Sequence, residues 1–401
     1  MQKRETRLIS PAAASKILQI SLAEIERLAV AGTLTRHSVQ GCVNYFDFGQ
    51  VVKYRERATV AETTETPTAR PVPYSDGERH AAIARDVLMK RKIERELIDD
   101  GYQRIERDQI VFFGAFDLYS RVNDEYLLYK PTGRDLPKDD PKFVHAPTLY
   151  LAPDSRARAM KEVHDRLNAQ LRACVDGRGL QDVKAAIIDL LDFALIDSAE
   201  QAIDGLENTV EILVTSLSRN QNMVFNLLSL IEQNRSLVHH STRAMAHVMR
   251  FCFKNNYSMQ DTKLLSLSAL LHDIGITQLP EKLTGCDERL LCEADRVLYQ
   301  SHTSIGFELL KECGIASKFV KYGAIEHHER LDGSGYPSGA RKISLLAQLI
   351  GIVDTYDLEC GRFDPEGHPR SAMHILKDLK KDCERGKFNR ELFGGFVYTL
   401  I

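Results

Sequence analysis

Apolar residues recur at helical spacing along most of the chain, and the interruptions of this pattern divide it into segments. Residues 10–20 and 21–32 each begin with a serine that can cap a helix and then carry apolar residues every three or four positions. A β-like stretch with a glycine turn and a third helical segment follow, up to residue 58. The pattern predicts a small helix-turn-helix module over residues 1–58.

The next segments differ from this module in composition and period. Residues 59–79 are rich in Thr, Glu, Ala and Pro without an apolar period, which predicts a linker. Over residues 80–175 a helix leads into "IVFFGAFDLYSRV", "EYLLYKP" and "FVHAPTLYLAP", and these predict an antiparallel sheet in a small α+β domain, sensory or regulatory in role. Residues 181–401 follow a period of 3.6, so we expect a multi-domain, mainly α protein with an all-helical C-terminal domain.

Composition excludes several classes of protein. With 401 residues and 43% hydrophobic residues, the chain can bury more than one core. The net charge of −3 gives no field that would gather nucleic acid over the whole surface. The eight cysteines form no CxxC pair, which is typical of a reducing cytosol. The N-terminus has no apolar signal region and no window approaches a membrane span, so we expect a soluble cytoplasmic protein.

Metal-type ligands interrupt several apolar helices of the C-terminal domain. Histidine occupies only 13 of 401 positions, yet five histidines and two aspartates fall at five places on apolar helices or helix ends. They are His240, His272, Asp273, His302, His327, His328 and Asp354. A charged pair such as His272-Asp273 at the end of a buried helix is costly unless a cation compensates it. Imidazole with carboxylate suits Fe, Mn, Zn or Ni, and the set is large enough for two ions bridged by one carboxylate.

The motifs "HSTR", "HDIG", "SHTSIGFELL", "HHERLDGSGYP" and "IVDTYD" resemble the HD-GYP group of the HD superfamily of metal-dependent phosphohydrolases. The resemblance covers roughly residues 220–400. It implies a phosphodiesterase of bacterial second-messenger signalling that hydrolyses cyclic dimeric GMP to its linear product.

The resemblance also implies roles for individual residues. The seven residues named above would ligate two divalent or trivalent metal ions, and Asp273 would bridge the two ions. Fe or Mn is the expected metal, and Ni or Zn is the alternative. His272 and Asp273 would be the catalytic pair. The substrate would meet Arg243, Arg330, Gly335 and Tyr336, although the two arginines could instead brace the carboxylates. For Arg330, which lies between Glu329 and Asp332, bracing of the loop is the favoured role.

Two positions depart from the family pattern. Ser236 stands one helical turn before the first ligand, where relatives with three metals have glutamate, so we expect two metals. Ile276 replaces the lysine of "HDIGK". The loss of one charge-stabilising contact costs about 2–4 kcal/mol of transition-state stabilisation, which predicts a slow enzyme.

Three functions stay open on these residues. The first is the phosphodiesterase. The second is a catalytically weak or inactive receptor or scaffold that binds the cyclic dinucleotide and relays occupancy to the helix-turn-helix. The third is a hydrolase for another phosphoester, against which the "GSGYP" loop argues.

The N-terminal module resembles the winged helix-turn-helix of excisionases and MerR-type regulators. DNA is therefore a candidate partner. A protein that reads DNA needs cationic side chains, however, and the second helix of this module offers Glu24 and Glu26 against a single Arg27. A three-helix adaptor that docks another protein is the alternative.

The helical run 181–217 has apolar residues on more than one face, which could bury against the catalytic helices or against a second subunit in a homodimer.

Overall fold

The chain forms two compact units in a computed structural model. The first unit lies within Met1–Pro73 and Lys92–Ile98, and the second within Tyr74–Arg91 and Asp99–Ile401. The structure describes residues 8–9, 34, 36–39, 43–47, 76–98, 101–105, 107–123, 125–134, 147–177, 179–196, 200–219, 221–231, 233, 236–315, 317–364 and 367–400.

A three-stranded antiparallel sheet characterises the first unit. Strands β1 (Leu8–Ile9), β2 (Arg36–Val39) and β3 (Val43–Asp47) lie in the order β1-β3-β2. Strands β2 and β3 pair antiparallel within the predicted β-like stretch, with Arg36 opposite Phe46. The helices predicted up to residue 58 lie outside the described residues, so the helix-turn-helix stays a prediction.

Helices make up most of the second unit, as the apolar period predicts. They are α1 (Asp76–Ile98), α2 (Pro153–Gly177), α3 (Leu180–Ile196), α4 (Glu200–Leu217), α5 (Gln221–Leu230), α6 (Leu237–Lys254), α7 (Met259–Leu271), α8 (Glu293–Gln300), α9 (His302–Glu312), α10 (Lys318–Glu326), α11 (Leu345–Cys360), α12 (Ala372–Glu384) and α13 (Arg390–Leu400). The last seven residues of α1 cluster with the first unit. Across the described residues, no helix is long and apolar enough to cross a membrane.

The second unit also contains the predicted antiparallel sheet. Its strands β4 (Gln103–Ile105), β5 (Leu118–Val122), β6 (Glu125–Lys130) and β7 (Leu149–Leu151) lie in the order β4-β7-β5-β6. One part of the prediction is wrong, because the "IVFF" run belongs to a 3₁₀ helix over Arg107–Phe113. Four consecutive apolar residues lack the alternation that specifies a strand with one buried face.

A continuous core joins the sheet to the helices that follow it. Leu118 and Leu151 of the sheet, Val163 and Leu171 of α2 and Leu270 of α7 belong to one buried cluster. The regions predicted as separate domains, 80–175 and 181–401, thus share a core within the second unit. Helix α2 packs against both α3 and α4, and its apolar side chains belong to the same cluster as those of the sheet.

Helices α6 and α7 lie between this core and a second one. Met245 and Met249 of α6 enter the first core, whereas Ala244 and Val248 enter a cluster formed with α11, α12 and α13. With both faces packed, each helix is held firmly in position along its length. These two helices carry His240 and lead into His272.

A short 3₁₀ helix, Ile274–Gln278, follows His272 and lies against the start of α9. A Cβ atom on Gly275 would overlap the backbone oxygen of His302 and come within 2.6 Å of the backbone nitrogen of Gly306. Glycine at this position therefore lets the loop after His272 approach the helix that begins at His302.

We predict that Gly275→Ala destabilises the protein by about 1–3 kcal/mol or more, since backbone atoms must move to admit the methyl group. Urea unfolding measures this loss. The control is Gly394→Ala in α13, where an added Cβ meets no atom within 4 Å and helix propensity favours alanine by up to about 1 kcal/mol. Equal stability of the two variants would contradict the packing argument.

Candidate metal centre

The seven candidate ligands converge because most of them stand at helix ends. His272 caps the C-terminus of α7 and His327 that of α10, while His302 begins α9. His240 lies in the first turn of α6, and Asp354 lies in the middle of α11. Helix ends can present side chains inward without interrupting the apolar face that buries the helix.

Two groups of ligand atoms result, each with all its atoms within 4.8 Å of one another. One group is Asp273, His302, His327 and His328, and the other is His240, His272, Asp273 and Asp354. The structure thus brings together every metal ligand that the sequence predicts.

Asp273 belongs to both groups, with one oxygen facing each. Its Oδ1 lies 3.2 Å from His302 Nε2 and 3.3 Å from His327 Nε2. Its Oδ2 lies 3.5 Å from His240 Nε2 and 3.6 Å from His272 Nε2. This is the arrangement expected of a bridging carboxylate.

Backbone carbonyls fix the tautomer of three of these imidazoles. Nδ1 of His272 donates to Ala269 O at 2.7 Å, and Nδ1 of His302 donates to Tyr299 O at 2.7 Å. Nδ1 of His327 is 2.9 Å from Ala324 O. Because a carbonyl only accepts, Nδ1 carries the proton, and a neutral ring then presents the lone pair of Nε2 to the centre.

The centre fits bound cations. His240 Nε2 lies 3.2 Å from His272 Nε2, and His302 Nε2 lies 3.4 Å from His327 Nε2, so lone pairs face each other. Asp273 Oδ1 and both carboxylate oxygens of Asp354 accept no hydrogen bond from the described residues, although both side chains are buried. Burial raises the pKa of each carboxyl. Positive charge on the neighbouring rings, when they are protonated, lowers it well below its ordinary value, with His272 as the main such neighbour of Asp273 and His240 of Asp354. A bound cation would act in the same direction. Buried anions of this kind need a cation.

Asp357 is a residue of this site that the sequence prediction missed. Its Oδ2 lies 2.8 Å from His240 Nδ1, and its carboxylate also accepts two hydrogen bonds from the Arg243 guanidinium, at 2.7 and 2.8 Å. It lies three residues after Asp354 in "IVDTYD", a spacing that could have indicated it. Arg243, predicted as a substrate contact or as a brace for the carboxylates, thus holds the carboxylate that orients His240.

The loop after His328 is held by hydrogen bonds rather than by the predicted ion pairs. Arg330 Nη1 donates to the carbonyls of His327 and Glu329 at 2.9 and 2.8 Å. The Glu329 carboxylate instead accepts from the backbone nitrogens of Ser338 and Ala340. Arg330 therefore braces the segment that carries the two histidines.

The glycine-tyrosine part of this loop lines the centre. The Tyr336 ring stacks on His328 with centroids 4.5 Å apart, and its hydroxyl donates to Glu288 at 3.3 Å. A Cβ on Gly335 would overlap the backbone of His328 and Arg330. Gly335 therefore serves the close packing of the loop on itself, whereas the prediction placed it against the substrate.

Helix α1 reaches the same loop, which the sequence prediction did not foresee. The buried His80 ring lies nearly parallel to Tyr336 with centroids 6.4 Å apart, and its Nδ1 donates to Asp76 O. Ala84 packs against Leu279 and Ile305. Residues before the sheet therefore help to hold the loops on either side of the centre.

Ile276 lies in the wall of a small cavity at the centre. It is buried, and it lines a cavity of about 40 Å³ together with His240, Asp273, Tyr299 and others. A volume of this size holds roughly one water molecule. An apolar side chain thus occupies the place where the resemblance leads us to expect a cation.

Comparison with known proteins agrees with this geometry. Residues 223–392, which include all seven candidate ligands, match the HD domain family. The fold is similar to that of a HDG"Y"P protein from Bdellovibrio bacteriovorus, with a TM-score of 0.52 at 18% identity over 75% of this chain and 99% of that one. Residues 223–392 are therefore similar to HD domains in sequence, and the chain is similar to the Bdellovibrio protein in fold.

Two curated relatives are cyclic di-GMP phosphodiesterases by name. The one from Pseudomonas aeruginosa is 28% identical over 275 residues, which is 67% of this chain and 63% of that protein. The response regulator RpfG of Xanthomonas campestris is 29% identical over 166 residues, 40% of this chain and 42% of that protein. The chain thus spans between 42% and 63% of the length of these relatives.

We predict that Asp357→Asn lowers the affinity for Mn²⁺ by about 10–100-fold, because the amide no longer provides the charge that orients His240. A competition titration against a chelator measures this affinity. The matched control is Asp378→Asn, an exposed carboxylate on α12 that pairs with Arg370 and Lys381. Wild-type affinity in Asp357→Asn would show that the carboxylate has no part in the site.

Proposed function

We propose that the C-terminal half of this chain is a metal-dependent phosphodiesterase that opens the ring of a cyclic dinucleotide, with cyclic di-GMP as the expected substrate. The observation that carries the proposal is the pair of ligand groups that share Asp273. The names of the two relatives support the substrate class, since a cyclic dinucleotide is what those proteins act on.

The residues present divide into two ligand sets. His302, His327 and His328 with one oxygen of Asp273 would hold one ion. His240, His272 and Asp354 with the other oxygen would hold the second. Mixed imidazole and carboxylate ligands favour Fe or Mn, with Ni and Zn as alternatives. Two such metal ions, when bound, supply an acidified water as nucleophile and neutralise charge on the phosphate oxygens.

The remaining residues position the ligands and shape the approach to them. The carbonyls behind His272, His302 and His327 hold each Nε2 toward the centre. Since the cavity at the centre has room for about one water, a dinucleotide reaches the phosphate position only when residues at its opening move. Gly285, Cys286 and Gly361 also line this cavity.

A second candidate function is a receptor that binds the cyclic dinucleotide with little or no turnover. Ile276 favours it, because an apolar side chain in the wall of the cavity cannot offset phosphate charge. Ser236 is the second position that differs from the family pattern. It caps α6 one turn before His240 and has no carboxylate that could ligate a third ion. The two functions share the binding site and differ in the rate of hydrolysis.

Hydrolysis is tested by incubating the full chain, loaded with Mn²⁺ or Fe²⁺ under reducing conditions, with cyclic di-GMP, cyclic di-AMP and cyclic GMP-AMP. We expect the linear dinucleotide from cyclic di-GMP, and we expect His272→Ala and Asp273→Asn to abolish the product. Binding of cyclic di-GMP without any linear product would favour the receptor instead.

The role of Ile276 gives a separate prediction. Ile276→Lys should raise turnover by at least about tenfold, because it places a cation in the wall of the cavity, beside the ligands around which phosphate charge would develop. The matched control is Thr277→Lys, which adds the same charge one residue further along, at a half-buried side chain outside the lining of the cavity. Equal rates in the two variants would show that position 276 does not face the phosphate.

Metal content tests the two ligand sets without reference to activity. We expect two ions per chain in the wild type, and one in either His328→Ala or His240→Ala, since each removes a ligand from one set only. Asp273→Asn should weaken both sites. Elemental analysis after gel filtration measures the content, with the exposed His368→Ala as control. Two tightly held ions in Asp273→Asn would contradict a bridging role.

A further inference from the structure

The Arg243–Asp357 ion pair borders two cavities. One is the small cavity at the candidate metal centre, and the other is a cavity of about 630 Å³ among α5, α6, α11, α12 and α13. Most of the larger cavity is apolar, with walls that include Leu228, Tyr356, Leu376, Phe393, Val397 and Leu400. Its volume is within the range of sites that enclose small organic ligands.

Arg250 provides an unusual charge in this apolar wall. Its side chain is only 7% exposed. Within the described part of the chain it has no hydrogen bond or ion pair, and its guanidinium lies 4.5 Å from the centroid of the Phe225 ring. The guanidinium borders the open cavity without an anion beside it among the described residues, so an anionic group bound there would form a charge-assisted pair with it.

The other charges around the cavity have the same sign. Lys377 and Lys380 project from α12 at its rim, and neither forms an ion pair with a described residue. Asp357 is the single carboxylate among the described residues of the wall, and Arg243 already neutralises it. The cavity therefore offers an excess of positive charge beside an apolar surface.

His247 adds a polar anchor between the two arginines. Residues 243, 247 and 250 lie on one face of α6, three or four positions apart. His247 is 8% exposed, and its Nδ1 has no hydrogen-bond partner among the described residues. Burial lowers its pKa to about 4, so the ring is neutral near pH 7 and can donate or accept one hydrogen bond.

We propose that this cavity binds an anionic amphiphile, an aliphatic chain with a carboxylate head that pairs with Arg250. The carboxylate lies beside His247 and the rim lysines, and the chain covers the leucine and valine side chains of the wall. The head group supplies the partner that Arg250 lacks, and the chain removes apolar surface from water. This site is distinct from the phosphodiester site, and its ligand is a different class of molecule.

The test uses the full chain with decanoate as the probe and anilinonaphthalene sulfonate as the fluorescent reporter that decanoate displaces. We expect decanoate to displace the reporter and 1-decanol, which lacks the charge, to compete at least about tenfold less well. Arg250→Gln should weaken decanoate binding by at least about tenfold and leave 1-decanol binding unchanged.

Two further variants separate the site from a general loss of folding. Leu376→Trp fills the apolar part of the cavity without changing its charge and should weaken decanoate and 1-decanol alike. Lys381→Gln removes a cation from the same helix that pairs with Asp378 outside the cavity, and it should bind decanoate as the wild type does. Equal competition by decanoate and 1-decanol, equal losses in Arg250→Gln and Lys381→Gln, or displacement by guanosine monophosphate but not by decanoate, would overturn the proposal.

Discussion

The carboxylate of Asp273 is the constraint on which the rest of the C-terminal half depends. It is almost fully buried, it is ionised, and four imidazoles lie within 3.6 Å of its two oxygens. A buried anion surrounded by lone pairs is stable only with cations between them. The helices around it are arranged so that each contributes a ligand from an end or a first turn, and only α11 contributes one from its middle.

The orientation of the ligand side chains is set by the groups that hydrogen-bond to them. Backbone carbonyls at the ends of α7 and α10 set the tautomers of His272 and His327, and Asp357 does the equivalent for His240. Gly275 lets the loop after His272 pass against the start of α9. These groups are backbone atoms of the packed helices and Asp357, the second acid in "IVDTYD". The packing of the helices therefore sets the geometry of the site.

Sequence reasoning predicted the helical architecture and all seven candidate ligands, because a histidine or aspartate in an apolar helix is conspicuous. It missed Asp357, whose partners His240 and Arg243 are more than a hundred residues away in the chain. It also missed His80, since nothing in the period of α1 indicates which loop the helix covers. It predicted ion pairs between Arg330 and the neighbouring acids Glu329 and Asp332, whereas the Arg330 guanidinium donates to the backbone carbonyls of His327 and Glu329. Periodicity shows which face of a helix is buried, but not what it is buried against.

X-ray absorption spectroscopy at the metal edge of the purified, metal-loaded chain measures the central claim most directly. A carboxylate that bridges two ions holds them about 3.5–4 Å apart, so the account predicts a metal–metal distance in this range together with imidazole scattering. A spectrum with imidazole ligands and no metal neighbour would show that Asp273 does not join two sites, and it would contradict the account.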